Sequence, residues 1–546
     1  MKSASLPLLA LRLRQFLLGL LTAAFMLPVL AVFASWWSIG DPASLQILRE
    51  MAQTVLPDYI GTTLILCGAV GFGVVAVGLS TAVAVTLFEF PGRRFFEWAL
   101  LLPLAMPAYV VAYAYTDFLQ FSGPLQTALR AGLSLEGRVF PEIRNTAGAA
   151  WVFTFALYPY VYLLVRTALG ENASHLMEAA RLLGAPLRRR ILQIALPLAR
   201  PAVAAGMALA LMETLADYGV SSYFGIQTFT AGIYKAWLSM DNRIAAAQLA
   251  TMLLVLVALL LSLERRAQRR MRFSTSKGAR TGSIEGRAVA LQGRQIGIAW
   301  LVCGLPVLLG FGLPVLFMLR PLAADWSVLS WGQFLGWSWN SLRLGVISAA
   351  LAVALAMLLA FGLRSRPDRS TRLAVQLVSL GYAVPGAVIV VGLLLPVGWV
   401  QAAWPDSGIG YALTATSVGL VWAYLVRFCA VALQSVQSGY ARIPQSYDDS
   451  ARMLGARGWR LLRRVHWPLL KRSTAAAALL VFVDVMKELP ATMVLRPFDS
   501  DTLAVVAYQL ARDERLGEAA LPSLALVLVG LLPVVLLSRT LRGSAR

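Results

Sequence analysis

Four carboxylates occupy positions where carboxylates are rare. Glu213 and Asp217 lie four residues apart within one apolar run, and at an offset of 271 residues a second apolar run carries Asp484 and Glu488, with Lys487 beside Glu488. An ionisable group inside a membrane span is costly and normally faces a bundle interior, a cavity or a charged partner. Residues at i and i+4 share one helix face, so the two pairs predict a ring of four carboxylates whose hard oxygens suit a hard cation. The same acids would serve a plainer purpose if they accepted hydrogen bonds from neighbouring helices, paired with Lys487 or lay at a hydrated mouth. Both readings stay open at this point.

A second stretch stands out by its charge order and its repetition, Glu178 to Pro197, EAARLLGAPLRRRILQIALP. The run Ser174 to Ile191 predicts a helix with Glu178 early and Arg188, Arg189 and Arg190 late, an order that suits the helix dipole. Leu182, Leu183, Leu187 and Ile191 recur at helical spacing among arginines, as in an amphipathic helix lying on a lipid surface. Gly184 in mid-run costs about 1 kcal/mol relative to alanine, which points to a bend or a close backbone approach. The offset of 271 that carries Gly184 to Gly455 also carries Glu178 to Asp449, Ala180 to Ala451 and Pro197 to Pro468, with Ser450 in place of the central Ala179. A repeat of that length predicts two homologous halves in tandem.

The elements that must hold these residues are membrane helices. Mean hydropathy is +0.70, and apolar runs of about 20 residues, the length that crosses a core of about 30 Å, fall at 15–38, 61–86, 97–118, 147–168, 199–221 and 244–263, then 295–318, 341–363, 374–399, 411–436, 473–495 and 518–538. The expected fold is therefore an all-α polytopic membrane protein of about twelve transmembrane helices: a first half 1–263, a basic flexible cytoplasmic linker 264–294 and a second half 295–546. Thr62-Thr63-Leu64 falls on Asn340-Ser341-Leu342 and Pro107 on Pro385, both at an offset of 278. Copies with an even number of spans point the same way, so a pseudo-two-fold axis along the membrane normal is expected to relate them. Asp241-Asn242-Arg243 and Asp513-Glu514-Arg515 precede the last spans and read as caps of outer loops.

A net charge of +21 raises nucleic acid as a partner, but the basic residues are scattered among loops between apolar spans rather than gathered on a soluble domain, which argues against it. Counting lysine and arginine in alternate loops places Arg93-Arg94, the loop with Arg188 to Arg190, the linker after Arg265, the turn Arg364 to Arg372, the second copy of the docking helix and the arginine-rich tail on the cytoplasmic side. Both termini are then cytoplasmic. Cys67, Cys303 and Cys429 lie in apolar runs without paired spacing, and the only histidines, His175 and His466, flank the two docking helices, so neither disulfide nor dedicated metal site is expected. No catalytic residue set is expected either.

Glu178-Ala179-Ala180, three residues, Gly184, nine residues, Ile194, one residue, Leu196-Pro197 resembles the coupling-loop signature of the importer permeases of ABC transporters. The resemblance implies that Glu178, Ala179, Ala180 and Gly184, and in the degenerate copy Asp449, Ala451 and Gly455, dock on an ATP-hydrolysing subunit present as a pair. With the stretches 213–250 and 481–511 included, the chain resembles the fused permeases of bacterial iron(III) importers; thiamine importers share the fused layout, and polyamine, sulfate and molybdate permeases are more distant. This implies a multi-pass protein of the bacterial inner membrane fed by a periplasmic binding protein. The chain has no G-x-x-x-x-G-K-[ST], so ATP belongs to the partner and no cofactor is expected on this chain. A proton-coupled secondary transporter of the major-facilitator type shares twelve helices in two parallel halves but has no need of the coupling helix.

Overall fold

The computed structural model describes residues 5–40, 42–170, 174–275, 289–326 and 330–543. The first half runs α1 (Ser5–Ala34), α2 (Leu56–Leu87), α3 (Arg93–Ala99), α4 (Ala108–Leu119), α5 (Thr146–Ala168), α6 (Ser174–Leu182), α7 (Leu196–Ala216), α8 (Gly219–Tyr223) and α9 (Arg243–Thr275). The second runs α10 (Arg294–Val307), α11 (Leu313–Ala324), α12 (Trp331–Ser365), α13 (Arg369–Val378), α14 (Gly386–Ala403), α15 (Ser417–Ala441), α16 (Gln445–Met453), α17 (Trp467–Lys487), α18 (Pro490–Leu495) and α19 (Leu516–Gly543). Among the described residues, ten helices are long and apolar enough to cross a bilayer, and the pair Arg93–Ala105 and Ala108–Leu133, bent by 89°, supplies an eleventh. The remaining expected span, 473–495, falls on α17 and α18, which carry Lys471, Arg472, Asp484 and Lys487.

The breaks in these helices recur in both halves. The third span of each half is interrupted before a proline: Met106 and Val384 are extended, Pro107 and Pro385 cap α4 and α14, and short 3₁₀ turns precede them. A residue before proline is driven out of the α region, so the matched prolines enforce matched breaks. The fifth spans break at the acids. Asp217 ends α7 at ψ 132° and Glu488 ends α17 at ψ 123°, and a short helix follows each. The expected continuous helices 199–221 and 473–495 are thereby corrected to helix, carboxylate hinge, short helix. Hydroxyls at matched positions hold the chain beyond: the Phe229 N–H donates to Thr63 Oγ1 at 3.4 Å and the Leu503 N–H to Ser341 Oγ at 2.9 Å. The side chain of Asn242 accepts from Ala245 N at the start of α9.

The helices pack into two compact units whose boundaries cut across the sequence halves. One comprises 1–49, 233–254 and 330–505, the other 50–232, 255–329 and 506–546. In the first, α1 lies on helices of the second half. The Trp422 indole donates to Ala24 O at 3.1 Å, Arg14 donates to Thr371 Oγ1 at 2.7 Å, and a Cβ on Gly392 would sit 2.0 Å from Pro28 O. In the second, α10 and α11 lie on helices of the first half: Tyr115 O–H donates to Leu309 O at 2.7 Å, Phe118 stacks on Phe317 at 3.8 Å, and the Trp300 indole donates to Pro91 O. The opening span of each half is thus lodged with the other half's helices. Of the stretch 264–294, α9 takes the beginning to Thr275, and Val289–Ala290 forms a parallel strand pair with Phe88–Glu89.

Within the second unit, small residues set the helix spacing. An added Cβ would lie 2.7 Å from Val161 Cβ at Gly78 of α2, and 2.6 Å from Val161 Cα at Gly206 of α7. Lipid offers no hydrophobic drive between helices, so this close backbone contact around α5 is what holds them. Gly206→Leu is expected to cost about 2 kcal/mol or more through overpacking, whereas Gly68→Leu, at a position with nothing within 4 Å, should stay within about 0.5 kcal/mol. Melting of the two variants in one detergent compares them.

Candidate functional site

The two repeat-matched helices, α6 and α16, end by the same device. In α6, Gly184 has φ +79°, its N–H donates to Arg181 O at 2.9 Å, and the Ala185 N–H reaches back to Ala180 O at 2.9 Å. In α16, Gly455 has φ +82°, with Gly455 N–H on Arg452 O at 3.0 Å and Ala456 N–H on Ala451 O at 2.9 Å. Both are Schellman caps, in which a left-handed residue, usually glycine, lets the last amides close on orphan carbonyls. Gly184 is therefore a helix terminator, and the expected single helix 174–191 stops at Leu182 and restarts at Leu187. Close approach within the chain is not its reason, since a Cβ at either glycine meets nothing within 4 Å.

The termination aims apolar side chains outward. Leu182 and Leu183 are 82% and 87% exposed, and their repeat mates Met453 and Leu454 89% and 88%. The sequence pattern had these leucines as part of one apolar stripe; the structure divides it, leaving Leu187 and Ile191 half-buried. Beside each exposed pair sits an i, i+3 ion pair, Glu178 with Arg181 at 3.6 Å and Asp449 with Arg452 at 3.4 Å. Ala179 is exposed, Ala180 half-buried and Ala451 buried. Exposed ion pairs of this kind add little to stability, so these charges and leucines are surface equipment. The acid buried at the second helix is a residue that the repeat did not single out, Asp448.

Of the four intramembrane acids, Asp217 and Glu488 stand at the hinges. Glu213 and Asp484 are half-buried one turn before the breaks. Asp217 Oδ1 accepts from Val220 N at 2.8 Å, and its carbonyl accepts from the Thr230 hydroxyl at 2.7 Å. At Glu488, Oε1 accepts from Ala491 N at 2.8 Å, and Oε2 from Thr492 N at 2.9 Å and from the Thr492 hydroxyl at 2.6 Å. Its counter-ion is Arg427 of α15, Nη1 at 3.5 Å, while Lys487 is the electrostatic neighbour of Asp484. The expected proximity of Lys487 to Glu488 is thus replaced by a partner 61 residues away in sequence. Glu213 and Asp217 belong to one compact unit, Asp484 and Glu488 to the other. Among the described residues no group of three or more His, Cys, Asp and Glu is placed to hold a metal ion.

These carboxylates do what a broken membrane helix requires. Non-helical backbone at membrane depth is tolerated only where its polar groups find partners or line a cavity, and here Asp217 and Glu488 receive the first amides of α8 and α18. Tyr424 O–H and Thr492 Oγ1, 2.6 Å apart, extend the network around Glu488. Arg427→Met is expected to cost about 3–5 kcal/mol by leaving the Glu488 charge uncompensated, and Arg427→Met with Glu488→Gln should recover part of that loss. Chemical denaturation of the purified variants measures both.

The family described as Binding-protein-dependent transport system inner membrane component matches the chain twice, over residues 74–273 and 352–542. Each match contains one docking helix and one hinged fifth span. The Fe(3+)-transport system permease protein FbpB 2 of Haemophilus influenzae is 25% identical over 94% of this chain and 95% of its own length. The ferric transport system permease protein FbpB of Actinobacillus pleuropneumoniae is 23% identical over 97% of this chain and 79% of its own. The inner membrane ABC transporter permease protein YdcU of Escherichia coli is 30% identical over 32% of this chain and 59% of its own.

Proposed function

The chain belongs to the family of binding-protein-dependent transport system inner membrane components, and from that premise we propose that it is the permease through which iron(III), delivered by a periplasmic binding protein, is imported at the expense of ATP hydrolysed by a separate subunit pair. The observation that carries the proposal is the pair of Schellman-capped helices, each offering an exposed apolar pair beside an acid: Glu178 with Leu182 and Leu183, and Asp449 with Met453 and Leu454. Two equal protein sockets are the partner such a repeat fits, because an isolated leucine pair buried in each is worth about 3 kcal/mol or more. Iron as cargo is supported by two relatives that cover nearly the whole chain and are named for Fe(3+) and ferric transport. A proton-coupled carrier with the same span count gives way to the family membership.

In this reading both termini and both coupling helices face the cytoplasm, as the lysine and arginine distribution suggests. Closure of the ATPase pair draws the coupling helices together, and the movement is passed to the transmembrane helices so that the path opens outward instead of inward. Each ligand shifts that equilibrium only by binding its two states unequally. Glu213, Asp217, Asp484 and Glu488 supply the acids of the path. Glu488, held by three hydrogen bonds and Arg427, keeps its hinge in shape. The chain itself binds no cofactor and carries out no bond chemistry.

Uptake of radiolabelled iron(III) into proteoliposomes with the neighbouring ATPase and binding protein tests the whole assignment, with thiamine as competitor. ATP-dependent iron uptake indifferent to thiamine is expected; thiamine uptake without iron would change the cargo and keep the machine. Glu178→Lys, or Leu182→Asp with Leu183→Asp, should weaken capture of the ATPase at least about tenfold, since each leucine withheld forfeits about 1.5 kcal/mol or more, while the chain remains in the membrane. Undiminished capture would remove the coupling assignment.

A further inference from the structure

One buried polar cluster lies outside the site just described, and the positions that match it in the first half carry other residues. Arg364, at the last turn of α12, gives Nε to Asp448 Oδ2 at 2.8 Å and Nη2 to Asp448 Oδ1 at 3.2 Å. Its remaining donors go to the carbonyls that end α15: Nη1 to Tyr440 O at 3.0 Å, and Nη2 to Ile443 O at 2.9 Å and Pro444 O at 3.1 Å. The last carbonyls of a helix have no partner of their own, and a guanidinium presents its donors in a rigid fork. One side chain thus fastens the end of α15 to the first turn of the second coupling helix, α16.

His466 closes the cluster from the entry to α17. It is fully buried, its Nε2 lies 3.0 Å from Asp448 Oδ1 and its Nδ1 3.1 Å from the Tyr440 hydroxyl, while its ring meets Phe361 and Tyr440 edge-on. Because the carboxylate only accepts, Nε2 carries the proton and Nδ1 accepts from Tyr440 O–H. At the offsets of the repeat, the first half has Met177 for Asp448, Ala195 for His466, Leu169 for Tyr440 and Thr86 for Arg364. The first three are buried, and the Thr86 hydroxyl is buried with no hydrogen-bond partner.

We propose that Arg364, Asp448, His466 and Tyr440 are positioning residues that clamp the second coupling helix onto α12, α15 and the start of α17, so that the two coupling helices are mechanically unequal. Directional hydrogen bonds fix the orientation of α16. Apolar contact through Met177 is non-directional and lets α6 reorient. In the transport cycle, then, α16 passes every displacement of its socket to the membrane helices, and α6 adapts.

The clamp also has a pH sign. Burial raises the Asp448 carboxyl, but hydrogen bonds and charge from Arg364 and His466 outweigh it and hold the group below its ordinary range. Burial lowers the His466 imidazole, assisted by Arg364 and Arg452 and opposed by Asp448. Both groups therefore bind protons less readily in the clamp than when released. The clamp is at full strength above the ordinary imidazole value of about 6.5 and weakens as pH falls through the lowered imidazole value. The charged and titratable groups facing the imidazole are Asp448, Tyr440, Arg364 and Arg452.

Spin labels at Met453→Cys and at Leu182→Cys, each in a full chain with Cys67, Cys303 and Cys429 replaced by alanine, test the clamp without reference to transport. The label at 182 should move at least about twofold faster than that at 453, and Arg364→Lys, which keeps the charge and removes the fork, should speed the label at 453 alone. Equal mobilities, or no response to Arg364→Lys, would overturn the clamp. The consequence for coupling rests on the proposed function and is read as substrate moved per ATP hydrolysed in the assembled transporter. The fourfold variant Arg364→Thr, Tyr440→Leu, Asp448→Met, His466→Ala installs the first half's residues, and replacement of buried ion pairs by apolar residues commonly preserves folding. It should lower that ratio at least about threefold and abolish its decline between pH 7 and pH 5.5. A wild-type ratio and pH profile would reduce the cluster to packing, with Arg364→Lys judged by the same ratio if the fourfold variant does not fold. An ATPase that fails to associate even with the wild-type chain would strike the coupling assignment and leave the mobility result standing.

Discussion

In hydrocarbon a backbone amide or carbonyl without a partner costs several kcal/mol, and the rest of this structure follows from how that constraint is met where helices stop. The spans themselves meet it internally. The breaks at Asp217 and Glu488 do not, and both are repaired locally: the carboxylates receive amides of the next short helix, and further along the chain the Phe229 and Leu503 amides go to the hydroxyls of Thr63 and Ser341. The acids of the fifth spans are therefore bound to the geometry of the break before they are available to any cargo. The requirement for the hinge accounts for a carboxylate at both Asp217 and Glu488, which match at an offset of 271 although their identities exchange.

The same reasoning extends to the membrane surface. The helices α6 and α16 end with exposed residues, where unpaired carbonyls are cheap, yet both close with full Schellman caps. The cap fixes the direction in which Leu182, Leu183, Met453 and Leu454 point, and an exposed apolar pair is useful to a partner only if its direction is fixed beforehand. Glycine at 184 and 455 is required by the left-handed backbone, so its presence reports on the shape of a docking surface rather than on contact with the partner.

Much of this was legible in the sequence, and the failures share a cause. Apolar runs placed the membrane helices, and the offset of 271 paired the two Schellman-capped helices and the acids, because both signals are local or periodic. What the sequence withheld was long-range pairing. Arg427 and Glu488 are 61 residues apart, and the lodging of α1 with α13 and α14 could not be foreseen, because lipid-facing and helix-facing sides of a span are alike apolar. Asp448 and Asp449 are adjacent and chemically identical, and the repeat pointed to Asp449; helix phase alone turns Asp449 to solvent and Asp448 into the cluster with Arg364. Gly184 reads in the sequence as a bend or a close approach, and which of the two a glycine serves depends on neighbours that only the structure supplies.

A transporter built from two identical subunits would carry any anchor of its coupling helix twice. Joining the halves in one chain removes that restriction, and the two coupling helices show what it permits. Their caps, exposed residues and surface ion pairs have stayed alike, which is what two equal sockets demand. Their buried sides have diverged, Met177 against Asp448 and Ala195 against His466, because nothing in the docking surface reads how each helix is held from behind. On the proposed reading, equal faces on unequal mounts would let one helix register the movement of a partner while the other accommodates it.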